Sequence, residues 1–244
     1  GSGAMGVAVT AALLEARGET RSKDEIALLA NDIERTDFGA SGGSQDSYGA
    51  AMGGAKKIVY HEGGGSECDI LSISTETRRA LEDHMLLIHT GDVHLSGSIH
   101  DDIKASYAKE NSPTVRAMDE LKAAAITAAG ALEDGDLDRF IEAMNASRLN
   151  HYALHESCDS PTLRRYFGEL EADILGGKAC GAGGGGFIMI YTRPGRRARC
   201  IETAEEMGGI VGPLRIDDEG VRIGREPTAP GFERDALWAK CSPV

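Results

Sequence analysis

The stretch GGKACGAGGGGF, residues 176–187, constrains the fold more than any other part of the sequence. Seven of the eleven residues from Gly176 to Gly186 are glycine, and the apolar run FIMIY follows directly. Because glycine loses more conformational entropy on folding than any other residue, an ordered run of this kind needs a structural or functional reason. A helix predicted to end at Leu175 and a strand beginning at Phe187 disfavour an interdomain linker. A turn without a ligand and a loop that surrounds an anion with backbone N–H groups both remain open.

Size and charge narrow the class of protein. The chain has 244 residues, of which 41% are hydrophobic, which is enough for one large globular domain or two small ones. Its net charge of −13 argues against nucleic acid or an anionic membrane as the main partner, since both select basic surfaces. A local anion site built from backbone N–H groups is compatible with that charge.

Three features of the sequence predict a cytoplasmic protein. No apolar run is long enough to span a membrane, and the start of the sequence has no signal-peptide pattern. The cysteines are odd in number and share no CxxC spacing, which favours reduced thiols over a disulfide framework or a zinc site; they are Cys68, Cys158, Cys180, Cys200 and Cys241.

Apolar periodicity predicts a mixed chain of helices and strands. Helices are expected near residues 7–18, 23–35, 97–109, 113–133, 136–152, 160–175 and 196–207, with a further short helix within 36–54. Strands are expected as a pair within residues 56–73 and at residues 84–91, 187–192, 208–217 and 220–224, with a turn at 232–240. A shift in composition near residues 76–83 predicts two α+β domains, residues 1–80 and 81–244.

Small residues at the start of the sequence precede an apolar helical pattern. The first N–H groups of a helix are unpaired and carry a partial positive charge, so GSGAMG at a helix start suits an anion. The alternative is that GSGAMG is the remnant of an expression tag.

Two carboxylates, Glu34 and Asp46, flank a glycine-rich segment. Magnesium prefers hard oxygen ligands, and phosphoryl transfer benefits from a carboxylate near the acceptor hydroxyl. Taken alone, both residues are equally compatible with ordinary surface charges. The histidines around residues 89–100 have no metal-binding spacing, which favours solvated or core histidines there.

Three of these segments together resemble the GHMP kinases, the superfamily of galactokinase, homoserine kinase and mevalonate kinase. KACGAGGGGF resembles the third signature of that superfamily, and GSGAMGVAVTAALLEA resembles the back half of the second signature, PxxxGLGSSAA. SGGSQDSYGAAMGG is most similar to the GGxQDQYAAAxGG segment of the D-glycero-D-manno-heptose 7-phosphate kinase branch. The apolar strand ending in Thr90-Gly91 is also similar to that branch.

The resemblance implies a two-domain α+β sandwich whose C-terminal domain is ferredoxin-like and whose N-terminal domain is incomplete, with the ATP site between the domains. It implies transfer of the γ-phosphoryl group of ATP to a hydroxyl of a sugar or sugar phosphate, with Mg²⁺. Other acceptors in the superfamily are amino acids and isoprenoid alcohols.

The resemblance also assigns residues to roles. Asp46 matches the acidic residue that orients or deprotonates the acceptor hydroxyl, and Glu34 matches a magnesium ligand. Ser2 matches a hydroxyl that contacts magnesium or phosphate. The expected nucleotide-binding positions are Ser2, Gly3, Ala4, Gly181, Gly183, Gly184 and Gly185, and the expected acceptor-binding positions are Gln45, Thr90, Gly91 and His94.

The sequence departs from the family pattern in two respects. The PxxxGL half of the second signature and the segment upstream of it are not in the sequence, so we expect a homo-oligomer or a complementing N-terminal segment as a partner. A truncated, non-catalytic relic of the fold is the alternative function. His94 stands where the related branch often has an arginine, which replaces a permanent cation by a titratable one.

Overall fold

The computed structural model describes residues 2–37, 43–92, 96–109, 112–181 and 183–224. Within them the chain divides into two compact units. The first comprises the residues up to Ser72 and those from Ile216 onward, and the second comprises Ile73–Arg215. The boundary predicted after residue 80 falls inside a helix, Thr75–His84, and the assignment of the two units to kinase domains stays a prediction.

The first unit is a layer of three helices with a two-stranded sheet. The helices are α1 (Ser2–Ala16), α2 (Lys23–Asp32), which continues as a π-helical turn (Ile33–Asp37), and α3 (Gln45–Ala51). The antiparallel strands are β1 (Lys56–Tyr60) and β2 (Ser66–Ile70), joined by a turn with three successive positive-φ glycines. The helices bury one shared core, made by Val7, Ala11, Leu14, Ile26, Ala27, Ala30, Tyr48 and Ala51.

The second unit contains a four-stranded antiparallel sheet in the order β4-β5-β3-β6. Its strands are β3 (Met85–His89), β4 (Ile174–Ala179), β5 (Phe187–Thr192) and β6 (Ile210–Pro213). Its helices are α4 (Thr75–His84), α5 (Ser96–Tyr107), α6 (Pro113–Asp134), α7 (Leu137–Tyr152), α8 (Pro161–Leu170) and α9 (Arg197–Glu206). Strands and helices share a core that includes Leu86, Ile88, Leu163, Leu170, Ile188 and Ile190.

Serine residues fix where four of these helices begin. In each helix, the Oγ atom of the serine before the first residue accepts a hydrogen bond from the backbone N–H three residues later. The capping residues are Ser22 for α2, Ser74 for α4, Ser112 for α6 and Ser160 for α8. Each cap of this kind stabilises its helix by about 1 kcal/mol. Ser22, predicted as a cap, forms a full capping box with Glu25.

The helix predicted at residues 160–175 is wrong in its second half. Helix α8 ends at Leu170, and Gly176 and Gly177 lie in strand β4. A Cβ atom on Gly177 would lie 2.7 Å from the carbonyl oxygen of Met189 and 2.9 Å from the Phe167 ring. These two glycines therefore allow close packing within a strand, and the glycine loop proper is the turn between β4 and β5.

The strand predicted at residues 220–224 is also wrong. Residues 214–224 contain no strand, and from Ile216 onward the described segment is part of the first unit. Val221 N–H donates to the carbonyl of Ala51 at 3.1 Å, and Gly54 N–H donates to the carbonyl of Asp217 at 2.6 Å. Residues 217–221 thus form a strap over the end of α3. The predicted turn at 232–240 lies outside the described residues.

No helix among the described residues is long and apolar enough to cross a membrane.

Candidate functional site

In the first unit, the start of α1 lies directly against Asp46. A Cβ atom on Gly3 would be 2.7 Å from the Cβ of Asp46 and 3.1 Å from its carbonyl carbon. Such a distance is shorter than side chains tolerate, so this approach of α1 to α3 requires glycine at position 3. Gly3 is buried, whereas the Asp46 side chain is exposed. The fold therefore places a carboxylate that is open to solvent beside the first turn of a helix.

The first turn of α1 has the electrostatic properties of an anion site. The leading N–H groups of a helix have no intrahelical acceptor and lie at the positive end of its dipole. The first turn of α1 carries no acidic side chain that would neutralise that end. Ala4 is exposed on this turn, and the backbone of Ser2 begins it.

Glu34 lies on the π-helical turn after α2 and lines a groove of about 780 Å³ along α1. The same groove is lined by Met5 and Gly6, from the first turns of α1. Glu34 thus faces the groove along α1, whereas Asp46 lies against the first turn of that helix. Among the described residues, no group of three or more His, Cys, Asp or Glu side chains could hold a metal ion. Magnesium bound to phosphate needs only one or two carboxylates, so the partly exposed Glu34 fits that role.

The rest of this groove is strongly apolar. Met5, Val9 and Leu13 follow one another at a spacing of four along α1 and are 68%, 53% and 60% exposed. The opposite side of α1 is buried in the core through Val7, Ala11 and Leu14. A helix that is apolar on all sides is normally covered on all sides. We call the stripe of Met5, Val9 and Leu13 the open face of α1.

In the second unit, the glycine loop is a closed hairpin tied to the end of β3. Cys180 N–H donates to the carbonyl of Phe187 at 2.8 Å. The carbonyl of Gly186 accepts from both Thr90 N–H, at 2.8 Å, and Thr90 Oγ1, at 3.0 Å. Gly186 N–H in turn donates to the carbonyl of Asp92 at 3.1 Å. The loop is therefore held as a folded turn, which is inconsistent with a linker.

Gly183 must be glycine for two reasons. Its φ is +85°, a region that favours glycine, and a Cβ there would lie 2.9 Å from Cε1 of His151. Its neighbours Gly184 and Gly185 are buried, and Gly181 is exposed with a φ of +73°. The loop thus packs on the end of α7 through Gly183, and the first glycine of the loop, Gly181, lies at the surface.

The residues predicted to bind the acceptor substrate differ in exposure and in hydrogen bonding. Gln45 is exposed at the start of α3, next to Asp46. Thr90 is buried, and its hydroxyl is engaged by the glycine loop; Gly91 follows it at the surface with a φ of +86°. His94 and the side chain of Ser2 lie outside the described residues.

The sequence reasoning missed one supporting contact in each unit. The strap of residues 217–221 holds the end of α3 through Ala51, and no local pattern in the sequence indicates it. The sequence predicts that Thr90 binds the acceptor substrate, but it does not indicate that the Thr90 N–H and hydroxyl both donate to the carbonyl of Gly186. The only sequence signal for that contact was the position of Thr90-Gly91 after an apolar strand.

Comparison with known proteins supports a single class. Residues 1–54 match the family described as GHMP kinases N terminal domain. The D-glycero-alpha-D-manno-heptose 7-phosphate kinase of Campylobacter jejuni is 27% identical over 226 residues, covering 92% of this chain and 66% of that protein. The mevalonate kinase of Pyrococcus horikoshii is 29% identical over 232 residues, covering 91% of this chain and 63% of that protein.

A solved structure supports the same fold. The D-glycero-D-manno-heptose 1-phosphate kinase from Bacteroides thetaiotaomicron superposes with a TM-score of 0.66 at 24% identity, covering 87% of this chain and 60% of that one. The mixed α+β fold and the resemblance to GHMP kinases, with heptose-phosphate kinases among the similar proteins, are thereby confirmed. The chain spans about two thirds or less of the length of these relatives.

The close approach at Gly3 leads to a stability prediction. Gly3→Ala should lower the free energy of unfolding by about 1–3 kcal/mol, because its methyl group overpacks the contact with Asp46. Gly6→Ala is the matched control on the same helix, because a Cβ there meets nothing within 4 Å. It should raise the stability by up to about 1 kcal/mol through helix propensity. Urea denaturation of the two variants measures this, and equal stability would contradict the packing described.

Proposed function

We propose that this chain is the larger part of an ATP-dependent kinase that transfers the γ-phosphoryl group to a hydroxyl of a sugar or sugar phosphate, in the manner of heptose 7-phosphate kinases. The observation that carries the proposal is the placement of Asp46 against the first turn of α1, where a Cβ on Gly3 would lie only 2.7 Å from it. One site then offers an anion-binding helix end and a solvent-accessible carboxylate. Phosphoryl transfer needs both.

Each part of the site has a role in that reaction. The free N–H groups of Ser2, Gly3 and Ala4 hold phosphate oxygens and offset the negative charge that develops during transfer. Asp46 accepts a hydrogen bond from the acceptor hydroxyl and aligns its oxygen for attack on the γ-phosphorus. Such alignment supplies a large part of the rate, because the transition state is loose and needs little covalent help.

Glu34 is proposed to hold Mg²⁺ together with the phosphates and the Ser2 hydroxyl. Magnesium, when bound, would neutralise charge on the β- and γ-phosphate oxygens. Glu34 suits this role because its side chain is partly exposed and lines the same groove as the first turns of α1.

The glycine loop is proposed to bind the nucleotide. Its hydrogen bonds to Thr90 and Asp92 fix its shape before any ligand arrives. Preorganised backbone donors lose no free energy to rearrangement during the reaction. Gly181, Gly183, Gly184 and Gly185 are the loop positions assigned to this role.

A sugar or sugar phosphate is the preferred acceptor. The similarity to the heptose 7-phosphate kinase covers 92% of this chain, and the SQDSYGAAMGG segment resembles that branch. The comparable similarity to a mevalonate kinase keeps an isoprenoid alcohol as the competing acceptor. Gln45, Thr90, Gly91 and His94 remain the residues proposed to distinguish them. We also propose a cytoplasmic location, because the four cysteines that the structure describes form no disulfide with one another.

The Asp46→Ala variant tests the catalytic assignment. We expect phosphoryl transfer to fall by at least about 10²-fold, because the acceptor hydroxyl loses its orienting carboxylate. Binding of Mg·ATP should stay nearly unchanged. Asp69→Ala is the matched control, because Asp69 is an exposed carboxylate of the same unit that pairs with Lys57 on the neighbouring strand.

The assay uses the protein encoded by the complete gene and a panel of sugars, sugar phosphates, amino acids and mevalonate. Transfer to a sugar or sugar phosphate by the wild type and the Asp69→Ala variant, with loss in Asp46→Ala, supports the proposal. Full activity in Asp46→Ala would overturn the role of Asp46. No transfer to any acceptor and no nucleotide binding would overturn the kinase itself and favour a non-catalytic relic.

The open face of α1 is proposed to be covered by a segment equivalent to the part of the relatives that this chain does not span. Its apolar stripe supports this, since exposing an apolar helix face of this kind to water is unfavourable.

We expect the 244-residue chain to be monomeric and to bind an apolar dye, and Leu13→Gln to weaken dye binding without loss of stability. Sedimentation velocity and dye fluorescence measure this. A dimer that Leu13→Gln dissociates would show that a second copy covers the face.

A further inference from the structure

Besides the apolar groove along α1, the described residues form a polar cavity of about 430 Å³, in the second unit at the beginning of strand β4. Its walls come from α7, α8, the first residues of β4 and the end of β5, through Asn145, Arg148, Phe167, Glu171, Gly176 and Arg193. The glycine loop follows the other end of β4, after Ala179. The cavity is therefore separate from the loop assigned to the nucleotide, and its volume is in the range of small-molecule sites.

Arg148 is held in a position suited to binding an anion. Its guanidinium carbon lies 4.4 Å from the centre of the Phe167 ring, so the charged group is held over an aromatic ring. Its Nε atom is buried and has no hydrogen-bond partner among the described residues. The two terminal nitrogens of a guanidinium carry N–H groups in one plane, where they can bind two oxygens of one oxyanion.

Arg193 provides a second positive charge on the same cavity. No ion pair or side-chain hydrogen bond of Arg193 occurs within the part of the chain that the structure describes, and its side chain is exposed. The described lining contains a single carboxylate, that of Glu171. The cavity thus has an excess of positive charge in a chain whose net charge is −13.

One wall of the cavity is fixed by a clasp, which is the pair of hydrogen bonds between the Asn145 side-chain amide and the β4 backbone at a register shift of that strand. The pairing of β4 with β5 shifts register between Ile174 and Gly176. Asn145 Nδ2 donates to the carbonyl of Leu175 at 3.0 Å, and Gly177 N–H donates to Asn145 Oδ1 at 3.2 Å. A Cβ on Gly176 would lie 2.8 Å from Asn145 Oδ1, so glycine is required for the clasp. The amide of Asn145 is occupied, which leaves the two arginines as the ligand-binding groups.

We propose that this cavity binds a small phosphorylated molecule, with its phosphate held by Arg148 and Arg193. The negative charge of phosphate complements the two guanidinium groups, and two of its oxygens can accept from the paired terminal N–H groups of Arg148. The remaining volume accommodates an organic part of roughly the size of a sugar. The proposal does not depend on the kinase activity.

The test is a titration of the 244-residue chain with inorganic phosphate, followed residue by residue through backbone amide NMR shifts at constant ionic strength. We expect saturable shifts at Gly168, Leu175 and Gly176. Arg148→Gln should weaken that binding by at least tenfold. Arg116→Gln removes one charge from an exposed position of α6 outside the cavity and should change the affinity less than twofold.

Three results would overturn the proposal. They are shifts confined to the start of α1, equal affinity in Arg148→Gln and the wild type, and equal affinity for acetate and phosphate, which would indicate an anion site without selectivity for phosphate. If Arg148→Gln does not fold, Arg193→Gln serves in its place, because this exposed side chain can change without loss of packing. A weakening by Arg193→Gln at these same amides supports the site, and unchanged affinity contradicts it.

Discussion

The contact between Gly3 and Asp46 is the constraint on which the first unit depends. Helices α1 and α3 can approach this closely only because position 3 has no side chain. The approach is driven by burial of Val7 and Ala11 against Tyr48 and Ala51, in a core that α2 completes. Packing and chemistry are thus coupled, since the apolar contacts that stabilise the helix layer also set the position of the carboxylate relative to the helix end.

The second unit uses glycine in the same way, but within a sheet. Gly177 allows β4 to lie against Phe167, and Gly183 allows the loop to pack on His151. The loop is then fixed by the two hydrogen bonds that Thr90 donates to Gly186. The conformational entropy lost by ordering so many glycines is offset by contacts that only glycine permits. A rigid loop is the result, which suits a role in binding rather than in hinge motion.

Local patterns were sufficient to predict most of the elements. The apolar spacing located α2, α6 and α8 to within a few residues of their observed ends, with α8 overextended, whereas α4 (Thr75–His84) was not predicted. The strand pair around the glycine turn at residues 63–65 was predicted correctly.

The errors arise where distant residues decide the structure. Gly176 and Gly177 belong to a strand because of Asn145 and Phe167, which no local pattern can reveal. Residues 220–224 alternate like a strand but are bound by the end of α3. The proposed roles of Asp46 and Glu34 could be assigned only through the family resemblance, since as isolated carboxylates they look like surface charges. The cavity at Arg148 could not be predicted from sequence, because its aromatic and charged walls come from separate helices.

Amide NMR shifts upon titration with Mg·ATP show whether the first turn of α1 binds phosphate beside Asp46. We expect Gly3, Ala4 and Met5 to show the largest saturable shifts in the first unit, and Asp46 to shift with them. Saturable binding with no change at these four amides would contradict this expectation.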